Sequence, residues 1–159
     1  MKKFILFLFT ASIFLSCNKK TDEEDLSSTS VTILLLNQQG QNLLNPSSNL
    51  NEYNIQAFII KNGVETLFND PTSRHPKGFL IGKTNTNQET LLLFSFDAFG
   101  KDTEFSTSLI KLGSYGMDTV KCQRATTGNY TRVMKVWYNG ILKFDRSVEK
   151  SDPIFTIIK

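Results

Sequence analysis

This chain of 159 residues has few histidine and cysteine side chains, which often serve as general bases, thiol nucleophiles or zinc ligands. The chain contains one histidine, His75, in a loop with two prolines, and two cysteines, Cys17 and Cys122. A serine-histidine-aspartate triad would have to use His75, and no Gly-x-Ser-x-Gly sequence is present to place the serine on a sharp turn. Zinc sites draw on several His and Cys ligands, and a glycine-rich phosphate loop is absent. We therefore expect no catalytic residue, no metal site and no cofactor.

The carboxylate side chains could bind calcium or act as the paired acids of a glycoside hydrolase. Asp97, Asp102 and Glu104 flank a turn, and clustered oxygens of this kind could hold calcium, although acids in a surface turn are the commoner interpretation. A glycoside hydrolase needs two carboxyl groups about 5–9.5 Å apart. Candidates for that pair are Asp70, Asp97, Asp102 and Asp118. The sequence gives no distance between them, so glycoside hydrolysis remains an alternative and not the favoured function.

Cys17 stands directly after an uncharged run, Phe4–Ser16, which begins behind two lysines. The run matches the apolar region of a signal peptide and is shorter than the about 20 residues that span a bilayer. Leu15-Ser16-Cys17 resembles the lipobox of bacterial lipoproteins. The resemblance implies that residues 1–16 are removed and that Cys17 carries three acyl chains, a firm anchor where one chain binds only marginally. A secretory signal cut elsewhere is the alternative, although no A-x-A site is present.

Residues 17–30 separate the lipid attachment point from the first expected strand. From Asn18 to Ser30 the only apolar residue is Leu26, so this segment is expected to be a flexible, acidic linker. Lys19-Lys20-Thr21-Asp22-Glu23-Glu24-Asp25 resembles the lysine-plus-acidic export signal of lipoproteins displayed on some Gram-negative cells. The resemblance implies an outer-membrane protein that faces the cell exterior. A merely solvated linker, on a protein that faces the periplasm, is the alternative.

Thr119 is a candidate for modification. Asp118-Thr119-Val120 resembles the Asp-Ser/Thr-aliphatic pattern that some bacteria O-glycosylate on exported proteins. An ordinary strand threonine is the alternative. Cys122 alternates with Val120 and is expected to be buried and inert. With Cys17 taken by lipid, no intrachain disulfide is possible.

Aromatic side chains could form a platform for a glycan, since they supply a large contact area at a low entropy cost. The candidates for ligand contact gather in the second half of the chain: Tyr115, Tyr130, Trp137 and Tyr138. Trp137, close to a hairpin turn, is more often a core residue. Tyr115 lies in a turn between two glycines and is the better exposed candidate.

Beyond residue 30, short apolar runs alternate with turn signals, and no segment keeps a 3.6-residue period. Residues 31–159 are therefore expected to form an all-β domain, a single immunoglobulin-like or related antiparallel β-sandwich of about seven to nine strands. A small barrel is the alternative topology. In the predicted strand over residues 53–61, one face carries Tyr53, Ile55, Ala57 and Ile59.

Two Asn-Gly pairs, Asn62-Gly63 and Asn139-Gly140, lie between apolar runs and predict two-residue hairpin turns. A two-residue turn fixes which residues face each other across the strands. The expected pairs are Phe58–Leu67 and Ala57–Phe68 at the first turn, and Trp137–Leu142 and Lys135–Phe144 at the second.

Charge argues against a nucleic-acid-binding protein. The chain has 18 basic and 15 acidic side chains, two of the lysines lie in the signal segment, and no basic patch is evident. The whole chain is similar to uncharacterised small bacterial lipoproteins with immunoglobulin-like bodies, by motif only over residues 1–25. We expect a non-enzymatic binding or assembly module on the membrane, with another envelope protein or a glycan as partner. A structural envelope protein without a small ligand is the alternative, because fold does not fix function.

Overall fold

The computed structural model describes residues 29–45, 50–94, 104–128 and 130–159. The signal segment and most of the linker lie outside the described residues. The strands are β1 (Val31–Leu36), β2 (Ile55–Lys61), β3 (Val64–Leu67), β4 (Phe79–Lys83), β5 (Glu89–Leu93), β6 (Phe105–Leu112), β7 (Met117–Thr127), β8 (Tyr130–Tyr138), β9 (Ile141–Asp145) and β10 (Ile154–Ile158). A 3-10 turn, Gly113–Tyr115, joins β6 to β7.

The strands form two packed sheets, which confirms the expected β-sandwich. One sheet has the order β10-β1-β5-β4 and the other the order β3-β2-β6-β7-β8-β9. The described residues hold ten strands, one more than the upper end of the expected range. One pair departs from the antiparallel pattern: β10 lies parallel to β1, after the chain has crossed from the larger sheet to the smaller one.

Apolar side chains at alternate positions along the strands fill the space between the two sheets. Val31, Ile33 and Leu35 of β1 have no solvent exposure, and neither have Val120 and Cys122 of β7. Period-two burial of this kind places one face of each strand in the core and the other outside. The expected burial of Cys122 is confirmed, and burial raises the pKa of its thiol because the thiolate loses its hydration.

The first hairpin has the predicted register. Asn62 and Gly63 have φ values of 53° and 77°, the positive values that a type I′ turn requires. Phe58 pairs with Leu67. The backbone N–H of Phe68 donates to the carbonyl oxygen of Ala57 at 2.9 Å, so both expected pairs are confirmed.

The second hairpin departs from the prediction two residues from its turn. Trp137 pairs with Leu142 as expected, but the predicted pair of Lys135 with Phe144 is wrong. A β-bulge shifts the register, so that Phe144 pairs with Val136 and Lys135 with Asp145. The shift places Phe144, 1% exposed, on the core face. Without it Lys143 would face the core opposite Val136, and burying an unpaired ammonium is far more costly than a bulge.

The start of β2 also differs from the prediction. The strand begins at Ile55, and Tyr53 lies before it with 85% of its surface exposed. The backbone N–H of Tyr53 donates to Oδ1 of Asn51 at 2.9 Å, a local turn that alternation alone does not reveal. Ile55 and Ala57 are buried as expected.

Candidate binding surface

Three neighbouring strands bring two aromatic rings and one ammonium group together on the outer face of the six-stranded sheet. Lys121 of β7 pairs with Trp137 of β8, and Phe105 lies on the neighbouring strand β6. These side chains point outward because their sequence neighbours Cys122 and Val136 point into the core. We call Phe105, Lys121 and Trp137 the aromatic–lysine cluster.

The lysine of this cluster lies over both rings. Its Nζ atom is 4.7 Å from the centroid of the Phe105 ring and 5.9 Å from that of Trp137. The two ring centroids are 6.4 Å apart, with planes tilted by 40°. A cation over an aromatic face stabilises an exposed arrangement by about 0.5–1 kcal/mol, which favours this position of the lysine over others. The surface therefore offers aromatic rings on which a ligand can stack and an ammonium group that can bind an anion or a hydroxyl group.

One exposed apolar side chain adjoins the cluster on the same outer face. Leu142 is 48% exposed. Leu142 pairs directly with Trp137. Exposed apolar side chains gathered on one face mark interaction sites in soluble domains, whereas scattered ones do not. This face can therefore contact a partner surface or the apolar face of a sugar.

Of the four aromatic residues singled out in the sequence, only Trp137 belongs to the cluster. Tyr115, 40% exposed, lies in the 3-10 turn after β6. Tyr130, 43% exposed, begins β8 seven positions before Trp137, about 23 Å away along the strand. Phe105 and Lys121 were missed by the sequence reasoning, because only the pairing of β6, β7 and β8 brings them beside Trp137.

Tyr138 lies in the core instead of on the surface, with 3% exposure. Its hydroxyl donates to Oδ2 of Asp118 at 2.7 Å, and Nδ2 of Asn139 donates to Oδ1 of Asp118 at 2.7 Å. The ammonium of Lys159 also donates to Oδ2. Burial acts to raise the pKa of Asp118, but the hydrogen bonds, that of Lys159 foremost, hold the pKa below its ordinary value. This arrangement joins β7, β8 and the residue after β10, and it is structural.

No family model, curated protein or solved structure matches this chain. Within the part of the chain that the structure describes, no helix is long and apolar enough to cross a membrane. Cys17 and the export-like segment lie outside the described residues. Lipid attachment and surface display therefore stay predictions.

Two other candidates for chemistry lie in the loop between β3 and β4. His75 is half-buried, and its ring stacks on Phe94 with centroids 3.9 Å apart. Asp70 accepts hydrogen bonds from the hydroxyl and backbone N–H of Thr72 at 2.7 and 2.9 Å, as in a local turn. Among residues 29–45, 50–94, 104–128 and 130–159, no three His, Cys, Asp or Glu side chains could jointly hold a metal ion. Asp97 and Asp102 lie outside those ranges.

Thr119 lies half-buried on the same outer face as the cluster, where it pairs with Leu109.

If Thr119 is glycosylated, we expect the mass of the mature protein to exceed that of the lipidated chain by the mass of one glycan. The substitution Thr119→Ala should remove this excess mass. Because Asp118 is buried, an enzyme that reads this motif must act before β7 joins the sheet. Thr107→Ala, on the same face of β6, is the control and should keep the added mass. A wild-type mass that includes the lipid but no sugar would show that Thr119 is not glycosylated.

Proposed function

We propose that this chain is a lipid-anchored protein of the bacterial outer membrane that faces the cell exterior and acts as a non-enzymatic binding module. The lipobox-like sequence at Cys17 and the lysine-plus-acidic segment after it support the location. The observation that carries the binding role is the aromatic–lysine cluster, with Lys121 Nζ held 4.7 and 5.9 Å from two ring centroids. Its partner is an envelope protein or glycan that offers an acidic group to the lysine.

The lysine of the cluster favours an acidic group on the partner. Lys121 is exposed on the outer face of the sheet. Lys135, on the same face, is neutralised by Asp145, with Nζ and Oδ2 3.1 Å apart. Complementary charge at a rim accelerates encounter and selects the partner, while the aromatic anchors supply most of the binding energy.

Asp118, one of the four acidic candidates for glycoside hydrolysis, is not in the state that a general acid requires. A glycoside hydrolase needs a carboxyl group with a raised pKa to serve as general acid. The pKa of Asp118 is lowered instead, and its oxygens are occupied by protein donors. An envelope protein with a purely structural role is the remaining alternative, and it requires no partner at the cluster.

The binding role is tested by removing one anchor. The full chain and its Trp137→Ala variant are compared on a glycan array and in pull-downs from detergent-solubilised envelopes. We expect binding to fall at least about tenfold, because truncating a central aromatic anchor removes 1.4 kcal/mol or more. Tyr130→Ala removes an exposed aromatic ring outside the cluster and should bind like the wild type. Equal binding by all three proteins would contradict the proposal, once thermal unfolding has shown that Trp137→Ala is folded.

Substitutions in the linker test whether the protein faces the cell exterior. Replacing Asp22, Glu23, Glu24 and Asp25 by alanine removes the acidic part of the export-like segment. We expect the variant to remain in the membrane fraction but to lose labelling by a membrane-impermeant reagent on intact cells. Undiminished labelling would show that the segment is only a solvated linker.

A further inference from the structure

The outer face of the four-stranded sheet carries no charged side chain in its described strands. In β1 every second residue is buried, so Thr32, Leu34 and Leu36 point outward. The four strands contain only two charged residues, Lys83 and Glu89. Both alternate with the outward positions, and they pair with each other at the end of the sheet.

Strand pairing extends this face on both sides of β1. The parallel partners on β10 are Ile154, Thr156 and Ile158. On the other side, Leu92 of β5 lies opposite Leu80 of β4. Leu80, Ile154 and Ile158 are 44%, 48% and 66% exposed. We call these five residues, together with the three of β1, the uncharged face.

Side chains alone form the surface of the uncharged face. The strands β1 and β5 each have a neighbour on both sides, so their peptide groups pair within the plane of the sheet. A Cβ atom at Gly82 would lie 3.0 Å from Cδ1 of Leu92, which shows that the leucine side chain lies across the glycine. An apolar environment can therefore cover this part of the sheet without leaving its peptide groups unpaired.

Neither the linker nor a second copy of the chain is suited to cover this face. From Asn18 to Ser30 the only apolar residue is Leu26. Four strands spaced about 4.8 Å apart and about five residues long cover roughly 300 Å². A stable interface buries about 800 Å² on each partner. The face is therefore too small to hold a dimer together by itself, although apolar patches of this size also mark contacts with membranes.

The linker keeps this sheet close to the bilayer. The strand β1 is the first after the linker, and it lies in the middle of the four-stranded sheet. A flexible segment the length of Asn18–Ser30 has an end-to-end distance of about 20 Å. Tethering raises the effective concentration of one surface at the other. A contact that is too weak to hold a free protein can therefore be populated in an anchored one.

We propose that the uncharged face lies on the bilayer that holds the lipid anchor. The proposal rests on the anchor at Cys17 that the proposed function includes, and it adds the orientation of the domain. Apolar side chains are stabilised at the boundary between headgroups and acyl chains. No charge on this face has to lose its hydration there, a loss that would be costly.

The opposite sheet is less suited to contact lipid. Its outer face carries the ammonium of Lys121 and the ion pair of Lys135 with Asp145. When the uncharged face lies on the bilayer, this outer face points away from the membrane. The aromatic–lysine cluster is then accessible to a partner outside the cell.

Fluorescence quenching by lipid tests the orientation. The lipidated full chain is reconstituted in phosphatidylcholine vesicles that contain lipids brominated on their acyl chains. A fluorophore is attached at Thr156→Cys, on the uncharged face, or at Thr107→Cys, on the outer face of the opposite sheet. Labelling is selective because Cys122 has no solvent exposure and the thiol of Cys17 is occupied by lipid. We expect quenching at least about twofold stronger at position 156, because a face buried about 5–10 Å into the boundary brings its label close to the bromine atoms.

Two double variants assign the quenching to the uncharged face. Leu80→Asp combined with Ile154→Asp places two charges on this face and should reduce quenching at position 156 to the level at position 107. Val64→Asp combined with Leu67→Asp changes two exposed apolar residues of β3, in the other sheet, and should leave the quenching unchanged. Thermal unfolding checks that both variants are folded, and the comparison of positions 156 and 107 does not depend on either.

The intact mass separates failure of the orientation from failure of the anchor. In a protein whose mass includes the lipid, equal quenching at the two positions would overturn the orientation and leave the anchor in place. Undiminished quenching in the folded Leu80→Asp, Ile154→Asp variant would overturn it as well. Energy transfer between labels at position 156 without quenching by lipid would show that a second copy covers the face instead. A mass without lipid would refute the anchor, and the orientation with it.

Discussion

Replacing Cys17 with serine is expected to abolish lipid attachment and the normal removal of residues 1–16. A serine hydroxyl does not form the thioether on which the lipoprotein anchor is built, so the variant lacks every acyl chain. Each buried CH₂ contributes about 0.8 kcal/mol to membrane binding, so three chains anchor the protein stably, whereas the variant has no acyl anchor. The measurement is the intact mass together with the distribution between sedimented envelopes and supernatant.

The second cysteine provides the matched control for this experiment. Cys122 is buried with no solvent exposure, so Cys122→Ala should be processed and sediment like the wild type. Normal processing and sedimentation of Cys17→Ser would contradict the anchoring account. In that case the apolar run would be a secretory signal cut at another residue.

Replacing Asp118 with alanine should destabilise the protein by several kcal/mol. The change leaves the Tyr138 hydroxyl without its acceptor and the Lys159 ammonium, whose side chain is 14% exposed, without its counter-ion. Breaking a buried ion pair costs about 3–5 kcal/mol. Since Lys159 keeps some access to water, we expect about 3 kcal/mol, which corresponds to a decrease in Tm of about 10 °C.

The control for Asp118→Ala is an exposed pair of the same kind. Nη2 of Arg146 lies 3.3 Å from Oδ1 of Asp152, whose side chain is 76% exposed. Surface pairs of this type contribute about 0–1 kcal/mol, so Asp152→Ala should change the unfolding free energy little. Equal and small effects of the two substitutions would show that the arrangement around Asp118 does not join the strands.

The stability should also depend on pH through Asp118. Because its pKa is lower in the folded protein than in the unfolded chain, its contribution is complete above the unfolded pKa of about 3.9 and is lost as pH falls through the folded pKa. Asp118→Ala should therefore flatten the acid side of the stability curve. Part of the dependence of stability on pH should remain in this variant, because Asp145 also contributes to it. Hydrogen bonds from Ser147 lower the pKa of Asp145 to about 2.

Local patterns were enough to predict a strand-rich domain and the pairs nearest the turns. Val120 and Cys122 alternate with polar residues and are buried as predicted, and the Asn62-Gly63 turn fixes its own neighbouring pairs. The bulge after Leu142 was not predictable from the turn, because it is decided farther away by which side chain, Lys143 or Phe144, the core accepts.

The binding surface could be predicted only in part. Alternation alone requires that Trp137 and Tyr138 point to opposite faces, so one of them had to be a core residue. Nothing local shows which face is inside, or that Phe105 and Lys121 come to lie beside Trp137. Those contacts depend on the pairing of β6, β7 and β8, which is a long-range property of the sheet.

Photo-cross-linking in intact cells tests the binding role most directly. A photoreactive residue replaces Leu142, which pairs with Trp137 and is 48% exposed, or Leu80, which is 44% exposed on the other sheet. We predict a discrete adduct from position 142 that disappears when Trp137→Ala is added, and no such adduct from position 80. Adducts of equal yield from both positions, or an adduct from position 142 that survives Trp137→Ala, would contradict a partner bound at the aromatic–lysine cluster.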